Sequence, residues 1–331
     1  MEFDRSLNAP YGEAIRLSPL VTRLLANNPG PYTFRGTGVY LVGAGGSVRA
    51  SEGDKNKAIA VIDPGPAQPD HLAALKRVIG ARRVSHILIT HTHADHSPAA
   101  AELKAWSGAK TYAYGPHFLA PSALRIASAA TGNSPAGRFA GGEGEPVEEA
   151  IDRDFVPDVL VRDGEVIAGD GFTITGVHTP GHTSNHMCYA LAEEAALFCG
   201  DHVMGWSTSV VAPPDGDMGE YLASLEKLRR RGETIFYPTH GSPIASPRDW
   251  LDQLIAHRRK REAQVVAGIA SGAGTVAALV AAIYPGLDAA LHAAAASQIA
   301  AHLDHLARQG AIARDGEGFR LTERGPGQRT P

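Results

Sequence analysis

Four potential metal ligands fall within six residues of the chain: His91, His93, Asp95 and His96. They directly follow the apolar run 86–90, which is typical of a buried strand. Side chains at i and i+2 of an extended segment point the same way, so His91 and His93 can hold one ion. A tight turn after His93 would let Asp95 and His96 face a second ion. Histidine-rich loops are sometimes only solvated, but this set of ligands directly after an apolar strand favours a metal site.

Three more potential ligands each follow a predicted strand and a turn: His182, Asp201 and His240. Asp63 likewise ends a predicted strand. Each of these residues alone is a weak signal, because a glycine or proline beside a polar residue usually marks an ordinary turn. All of them share the order of apolar strand, turn and ligand. A sheet whose loops converge on one edge would bring them together.

The composition excludes several classes of protein. The chain has 331 residues, a net charge of −4 and fifteen histidines, so a nucleic-acid-coating protein, which would usually be basic, is disfavoured. The two cysteines, Cys188 and Cys199, exclude a disulfide scaffold and a Cys-ligated zinc module, although a transient disulfide between them stays open. The first residues lack the basic and apolar stretches of a signal peptide, so we expect a cytoplasmic protein.

Hydrophobic periodicity predicts strands with interleaved helices, hence an α/β fold whose sheets are covered by helices. The predicted strands are 39–42, 58–62, 86–90, 172–177, 187–191, 196–199 and 234–237, and the predicted helices are 69–79, 97–105 and 220–231. Composition shifts near residue 246, which predicts a catalytic domain over 1–245 and a second domain over 246–331.

The second domain shows the order helix, helix, helix, hairpin, which is that of a winged helix. The uncharged segment 263–287 is long enough to span a membrane, but its glycine-rich middle favours two short helices joined by a turn. We therefore expect no membrane span. The basic run 258–261 is expected to be a solvated helix face. The simplest arrangement packs this domain against the first one and narrows its cleft. Alternatively, the domain would guide a single-stranded nucleic acid, or the carrier of a thioester, toward the metals.

In order and spacing, these motifs resemble those of the metallo-β-lactamase-fold hydrolases. Asn28-Pro29-Gly30-Pro31 and the tail segment Ala282-Ile283-Tyr284-Pro285 are similar to the β-lactamase-like protein 2 subfamily, which carries a C-terminal winged helix. The resemblance covers nearly the whole chain. It implies a four-layer αββα sandwich followed by the small winged-helix-like domain.

The resemblance also implies a binuclear metal site. His91, His93 and His182 would bind one divalent ion, Asp95, His96 and His240 would bind the other, and Asp201 would bridge them. Asp95 and Asp63 are the implied catalytic carboxylates, with Asp63 acting behind the ligands by orienting one of them. Such ligands suit zinc first, with manganese or iron as alternatives. A bound metal brings the pKa of water to about 7, so a metal-bound hydroxide would be the nucleophile.

The chain departs from the subfamily at two places. The connection 117–158 is longer than usual and would either lie over the site or form a surface excursion. Thr239 stands where the subfamily has glycine, with little expected effect on metal binding. His186 lies four residues after His182, and we expect it to support the ligands.

Three functions from different classes remain open at this point. The first is hydrolysis of a small ester, thioester or lactone, supported by the similarity of 179–186 to glyoxalase II-type thioesterases. The second is cleavage of single-stranded RNA, which the subfamily implies and the acidic balance disfavours. The third is a non-catalytic winged-helix regulator, which the complete ligand set opposes. A small molecule is therefore the expected partner, and a homodimer is left open.

Overall fold

Two β-sheets form the centre of the first domain in the computed structural model, which describes residues 1–43, 57–117, 151–288, 291–316 and 318–323. The first sheet has seven strands in the order β1 to β7. These strands are β1 Ala14–Arg16, β2 Val21–Leu25, β3 Gly38–Val42, β4 Ala58–Ile62, β5 Arg83–Leu88, β6 Lys110–Ala113 and β7 Val159–Leu160. Strands β4 to β7 run parallel, so their carboxyl ends lie at one edge.

The second sheet has five strands in the order β12-β11-β10-β9-β8. They are β8 Val166–Ala168, β9 Thr173–His178, β10 Met187–Leu191, β11 Ala196–Gly200 and β12 Ile235–Pro238. A single turn of 3-10 helix, Ala192–Glu194, joins β10 to β11. The two sheets face each other across a core that includes Tyr40, Leu88, Tyr189 and Phe198.

Helices cover the outer face of each sheet and complete the predicted four-layer αββα sandwich. Leu75 of α1 (Pro69–Ile79) and Leu103 of α2 (Ala99–Ser107) pack on the first sheet. Tyr221 of α3 (Met218–Arg229) packs on the second sheet, where Cys188 and Cys199 are buried as free thiols. Helix α3 begins two residues before the predicted start because the Asp217 side chain accepts a hydrogen bond from the Glu220 N–H and caps it.

The C-terminal part forms the predicted winged helix. It contains α4 Pro247–Ala270, α5 Val276–Ile283, α6 His292–Arg308 and the hairpin of β13 Ile312–Asp315 and β14 Gly318–Leu321. Leu279, Ile299, Leu303 and Leu306 lie in its own hydrophobic core, as their spacing predicts. Among the described residues, no helix is both long and apolar enough to cross a membrane.

Helix α4 belongs to both hydrophobic cores. Leu251, Leu254 and Ile255 in its first half pack with the second sheet, whereas Val265 and Ile269 in its second half pack with α5 and α6. The boundary predicted at residue 246 lies directly before this shared helix and stays a prediction.

Candidate metal centre

The first cluster of imidazoles is built by the loop after β5 and the turn after β9. His91 Nε2 lies 3.0 Å from His93 Nδ1, and His182 Nε2 lies 3.3 Å from the same atom. Backbone hydrogen bonds to Gly65 fix the loop after β5, because the Gly65 N–H donates to the His96 carbonyl and the Ala99 N–H donates to the Gly65 carbonyl. The i and i+2 geometry predicted for His91 and His93 is therefore present, and the Pro-Gly turn brings His182 to the same point.

A second cluster lies beside the first. Asp95 Oδ2 is 3.2 Å from His96 Nε2 and 3.2 Å from His240 Nε2. Asp201, at the end of β11, places Oδ2 3.3 Å from His240 Nε2 and 3.6 Å from His96 Nε2. Asp201 also groups with His91 and His96, with all ligand atoms within 4.8 Å of one another. It therefore lies between the two clusters, and the structure brings all seven predicted ligands together.

The spacing of these atoms fits divalent metal ions. Two ligands about 2.1 Å from one tetrahedral ion lie about 3.4 Å apart, and the separations here are 3.0–3.3 Å in the first cluster and 3.2 Å in the second. His96 Nε2 and Asp201 Oδ1 are buried and form no hydrogen bond with any residue that the structure describes. Buried polar atoms without partners are costly, and metal ions at these two places would satisfy both of them.

The second ring nitrogen of two ligand histidines donates to a carbonyl of the fold. His182 Nδ1 donates to the Val210 carbonyl at 2.6 Å, and His240 Nδ1 donates to the Gly36 carbonyl at 3.1 Å. A carbonyl can only accept, so each Nδ1 carries a proton and each Nε2 is the atom that can offer a lone pair to a metal ion.

Asp63 lies behind both clusters and accepts four hydrogen bonds. Its carboxylate accepts from the Thr90 N–H and the Thr90 hydroxyl, both at 2.7 Å, from His96 Nδ1 at 2.9 Å and from the Thr239 hydroxyl at 3.2 Å. The Thr90 hydroxyl also lies 3.1 Å from His91 Nδ1. Asp63 therefore holds one ligand of each cluster, and the Thr239 hydroxyl, where the subfamily has glycine, adds a fourth donor.

The two clusters differ in electrostatics. Burial holds the pKa of His91 well below its usual value and lowers the pKa of His93 to about 3. Burial also opposes a charge on His240, but the carboxylates of Asp201 and Asp95 outweigh it and raise the pKa to about 10. The first cluster thus presents neutral imidazoles, whereas the carboxylates of the second make His240 more basic, so a metal ion bound at its Nε2 would displace a proton.

Sequence reasoning missed several residues that hold these ligands. The Thr37 hydroxyl donates to Asp95 Oδ2 at 2.8 Å and accepts from Asn28 Nδ2 at 2.9 Å. The Ser209 hydroxyl donates to the Asp201 carbonyl. Asn28 and Thr37 stand out in the sequence only as parts of motifs, and Ser209 carries no local signal of function.

His186 contacts Asp201, which agrees with the supporting role that the sequence predicts for it. It is fully buried, and its Nε2 accepts a hydrogen bond from the Asp201 N–H at 3.3 Å. Its Nδ1 therefore carries the proton and donates to the Thr179 hydroxyl at 2.9 Å.

The prediction of a solvated face for the basic run 258–261 is wrong for one of its residues. Arg258 is only 3% exposed, because its guanidinium donates to the Ser209 carbonyl and to Gln298 and stacks 5.0 Å from the ring centre of Tyr221. Arg259, the next residue, keeps 67% of its side chain exposed.

A cavity of about 250 Å³ opens above the two clusters. Five of the seven predicted ligands line it: His93, Asp95, His182, Asp201 and His240. Its walls come from Pro31 and Tyr32, from the loop 204–210 and from the C-terminal domain between Tyr284 and Gln298. The winged helix therefore narrows the cleft, as the sequence suggests.

The predicted insertion 117–158 lies largely outside the described residues, which resume at Ile151. The two ends of this segment that the structure describes lie beside the candidate metal centre. Ile151 forms a β-bridge with His93, and the Asp152 N–H donates to the Thr92 carbonyl at 2.8 Å. His117 Nδ1 lies 3.7 Å from Asp215 Oδ2.

Known proteins agree with this architecture. Residues 48–240 match the family model of the metallo-beta-lactamase superfamily, and residues 275–320 match the beta-lactamase associated winged helix domain. An atrochrysone carboxyl ACP thioesterase of Aspergillus fumigatus is 32% identical over 82% of this chain and 76% of its own length. The beta-lactamase-like protein 2 homolog of Caenorhabditis elegans is 29% identical over 76% of this chain and 71% of its own length.

A solved structure shows the same fold. A metallo-beta-lactamase family protein from Thermus thermophilus superposes with a TM-score of 0.68 at 24% identity, covering 93% of this chain and all of that protein. The match of one family model to more than half of the chain is the strongest of these findings. The chain belongs to the metallo-beta-lactamase superfamily, as a hydrolase that carries the associated winged helix domain.

Proposed function

We propose that this hydrolase cleaves small carboxylic thioesters, with esters and lactones as related substrates, at a binuclear metal centre. The observation that carries the proposal is the pair of ligand clusters that share Asp201 at the floor of a mostly apolar cavity. A relative named as an acyl carrier protein thioesterase, at 32% identity, supports the thioester as the first choice.

In this proposal His91, His93 and His182 would hold one divalent ion, Asp95, His96 and His240 would hold the other, and Asp201 would be shared between them. Nitrogen and oxygen ligands of this kind suit zinc, and also manganese or iron. When bound, the ions would lower the pKa of water and polarise the carbonyl oxygen of the substrate.

The side chains of the cavity account for the rest of the reaction. Water adds to the carbonyl carbon, the C–S bond breaks, and the products are a carboxylic acid and a thiol. Asp95 lines the cavity, so its carboxylate is positioned to accept the proton that the attacking water loses and to pass it to the leaving thiolate. Asp63 lies behind the ligands and acts by holding His96.

The lining of the cavity disfavours a phosphodiester substrate. Among its described residues there is no lysine or arginine, although such side chains would stabilise a phosphate. Cleavage of single-stranded RNA is therefore the alternative that the assay must eliminate, together with a non-catalytic role.

The test is a substrate panel with measured metal content. Octanoyl-N-acetylcysteamine thioester, an acyl-homoserine lactone and unstructured RNA are incubated with the metal-loaded protein, with and without chelator. We expect thioester hydrolysis that the chelator abolishes. His93→Ala should lower kcat/KM at least 100-fold and reduce the bound metal, because it removes a ligand of the first cluster.

His305→Ala is the matched control, since His305 lies in α6 and contacts Gln309 and Glu262 outside the centre. It should keep both metal and activity. RNA cleavage that His93→Ala abolishes, without thioester hydrolysis by the unaltered protein, would refute the proposed substrate class. Unchanged metal content in Asp201→Ala would refute the ligand assignment.

A further inference from the structure

One wall of the cavity comes entirely from the C-terminal domain. It consists of Tyr284, Leu287, Leu291, Ala294, Ala295 and Gln298. These residues follow α5 and occupy the first two turns of α6. The same cavity reaches His93 and Asp201 at its floor, so an occupant of the wall lies next to the reacting centre.

The chemistry of this wall is apolar. Apart from the metal ligands, the described lining of the cavity holds no Lys, Arg, Asp or Glu. Leu291 leaves 50% of its surface exposed at this place, although large apolar side chains are usually covered. A neutral apolar group that covers Leu291 is favoured, because it removes apolar surface from water.

The wall is fixed before any substrate arrives. The Gln298 side chain accepts from Arg258 at 2.7 Å and donates to the Val211 carbonyl at 3.3 Å. The Arg261 guanidinium stacks 4.2 Å from the ring centre of Tyr284. Preformed walls of this kind are typical of small-molecule sites.

We propose that this wall binds the apolar acyl group of the thioester, and that Leu291 and Ala294 set the size of acyl group that is accepted. The inference rests on the proposed function. A thioester has an acyl arm and a thiol arm, one on each side of the bond that is cleaved. The wall beside the candidate metal centre is apolar. The thiol arm of an acyl carrier contains amides and hydroxyls, which lose free energy when buried without partners. The acyl arm is therefore the one that enters.

The experiment compares acetyl-, octanoyl- and 2-naphthoyl-N-acetylcysteamine thioesters. The unaltered protein should show a kcat/KM that rises with the apolar size of the acyl group. Ala294→Phe fills the cavity, and we expect it to lower kcat/KM for the naphthoyl substrate at least tenfold while the acetyl value stays within twofold. Leu291→Ser should raise KM for the octanoyl substrate about fivefold with kcat unchanged, because it removes ground-state binding.

The matched control is Ala293→Phe, one residue earlier in α6, which is exposed and does not line the cavity. It should resemble the unaltered protein with all three substrates. Metal content is measured for every variant. An equal change for all acyl groups in Ala294→Phe, or no change, would overturn the inference.

A binding measurement separates this inference from the proposed function. Calorimetric titration with 2-naphthoate and with acetate reports on the wall even if no thioester is hydrolysed. We expect 2-naphthoate to bind at least tenfold more tightly than acetate, and Ala294→Phe to remove that preference. Equal affinity for the two carboxylates would overturn the acyl wall, whereas naphthoate preference without hydrolysis would overturn only the proposed function.

Discussion

Asp63 adopts a φ of 48°, in the left-handed region that few residues other than glycine favour. The carboxylate explains why an aspartate is nevertheless used here. It accepts from two groups of Thr90, from His96 and from Thr239, and an aspartate tolerates this conformation better than most side chains. The backbone conformation and the carboxylate of Asp63 together orient the imidazoles of His96 and, through Thr90, of His91.

Asp63→Asn tests this role with almost no change in size. The amide presents a donor where His96 or Thr90 already donates, so the imidazole loses its fixed orientation. Because such supporting groups typically change metal affinity by about 10–100-fold, we expect a loss in that range. Competition with a chelating dye measures it. Thr239→Val is the matched control, because it removes one of the four donors to Asp63 and should change the affinity by less than about threefold.

The loop that follows β11 connects the metal centre to the C-terminal helices. Ser209 donates to the Asp201 carbonyl, and the Val210 carbonyl accepts from His182. Arg258 of α4 donates to the Ser209 carbonyl, and Gln298 of α6 donates to the Val211 carbonyl. At the scale of elements, helices α4 and α6 of the second domain thus hold this loop. The loop in turn orients Asp201 and His182, two predicted ligands in the first domain.

Arg258→Met should destabilise this connection. Methionine fills part of the space but leaves the buried Ser209 carbonyl without its donor, which typically costs about 1–3 kcal/mol. We expect a loss in that range in chemical denaturation and weaker metal binding at the His182 cluster. Arg259→Met, at the exposed neighbouring position, should leave both unchanged. Full stability in Arg258→Met would show that the guanidinium contributes nothing to the connection.

Whole-molecule stability should depend on pH through a buried histidine between α4 and α6. His302 is fully buried and neither ring nitrogen has a hydrogen-bond partner among the described residues. Burial, with the positive charges of Arg258 and Arg261 nearby, lowers its pKa to about 3. Between this value and about 6.5, its ordinary value, the unfolded chain binds a proton that the folded chain excludes, so stability falls as the pH falls.

The size of this pH dependence follows from the lowered pKa of His302. Each pH unit well inside the window costs up to about 1.4 kcal/mol, so lowering the pH from 6 to 5 should cost about 1 kcal/mol through this group. His302→Leu should remove that part of the pH dependence. Urea denaturation of both proteins at the two pH values gives the difference, in which contributions from other groups cancel. Identical slopes for the two proteins would refute the assignment.

The sequence was sufficient to predict which residues cluster at the candidate metal centre and insufficient to predict the cavity above them. His91, His182, Asp201 and His240 each follow an apolar strand and a turn, so converging strands bring them together. Leu291 and Ala294 look like any residues of an apolar helix, and their place in the cleft depends on how two domains pack. Arg258 likewise has no local signal, because a basic run on a helix is usually solvated.

The helix Pro247–Ala270, which contributes to both hydrophobic cores, determines where relatives could exchange their C-terminal modules. A junction at its first residue would separate Leu251 and Leu254 from the sheet that they cover. A junction in the turn 271–275 would keep the whole helix with the catalytic part, and the winged-helix match begins at 275. Chimeras joined at this turn would exchange the cavity wall formed by residues 284–298 while retaining every candidate metal ligand.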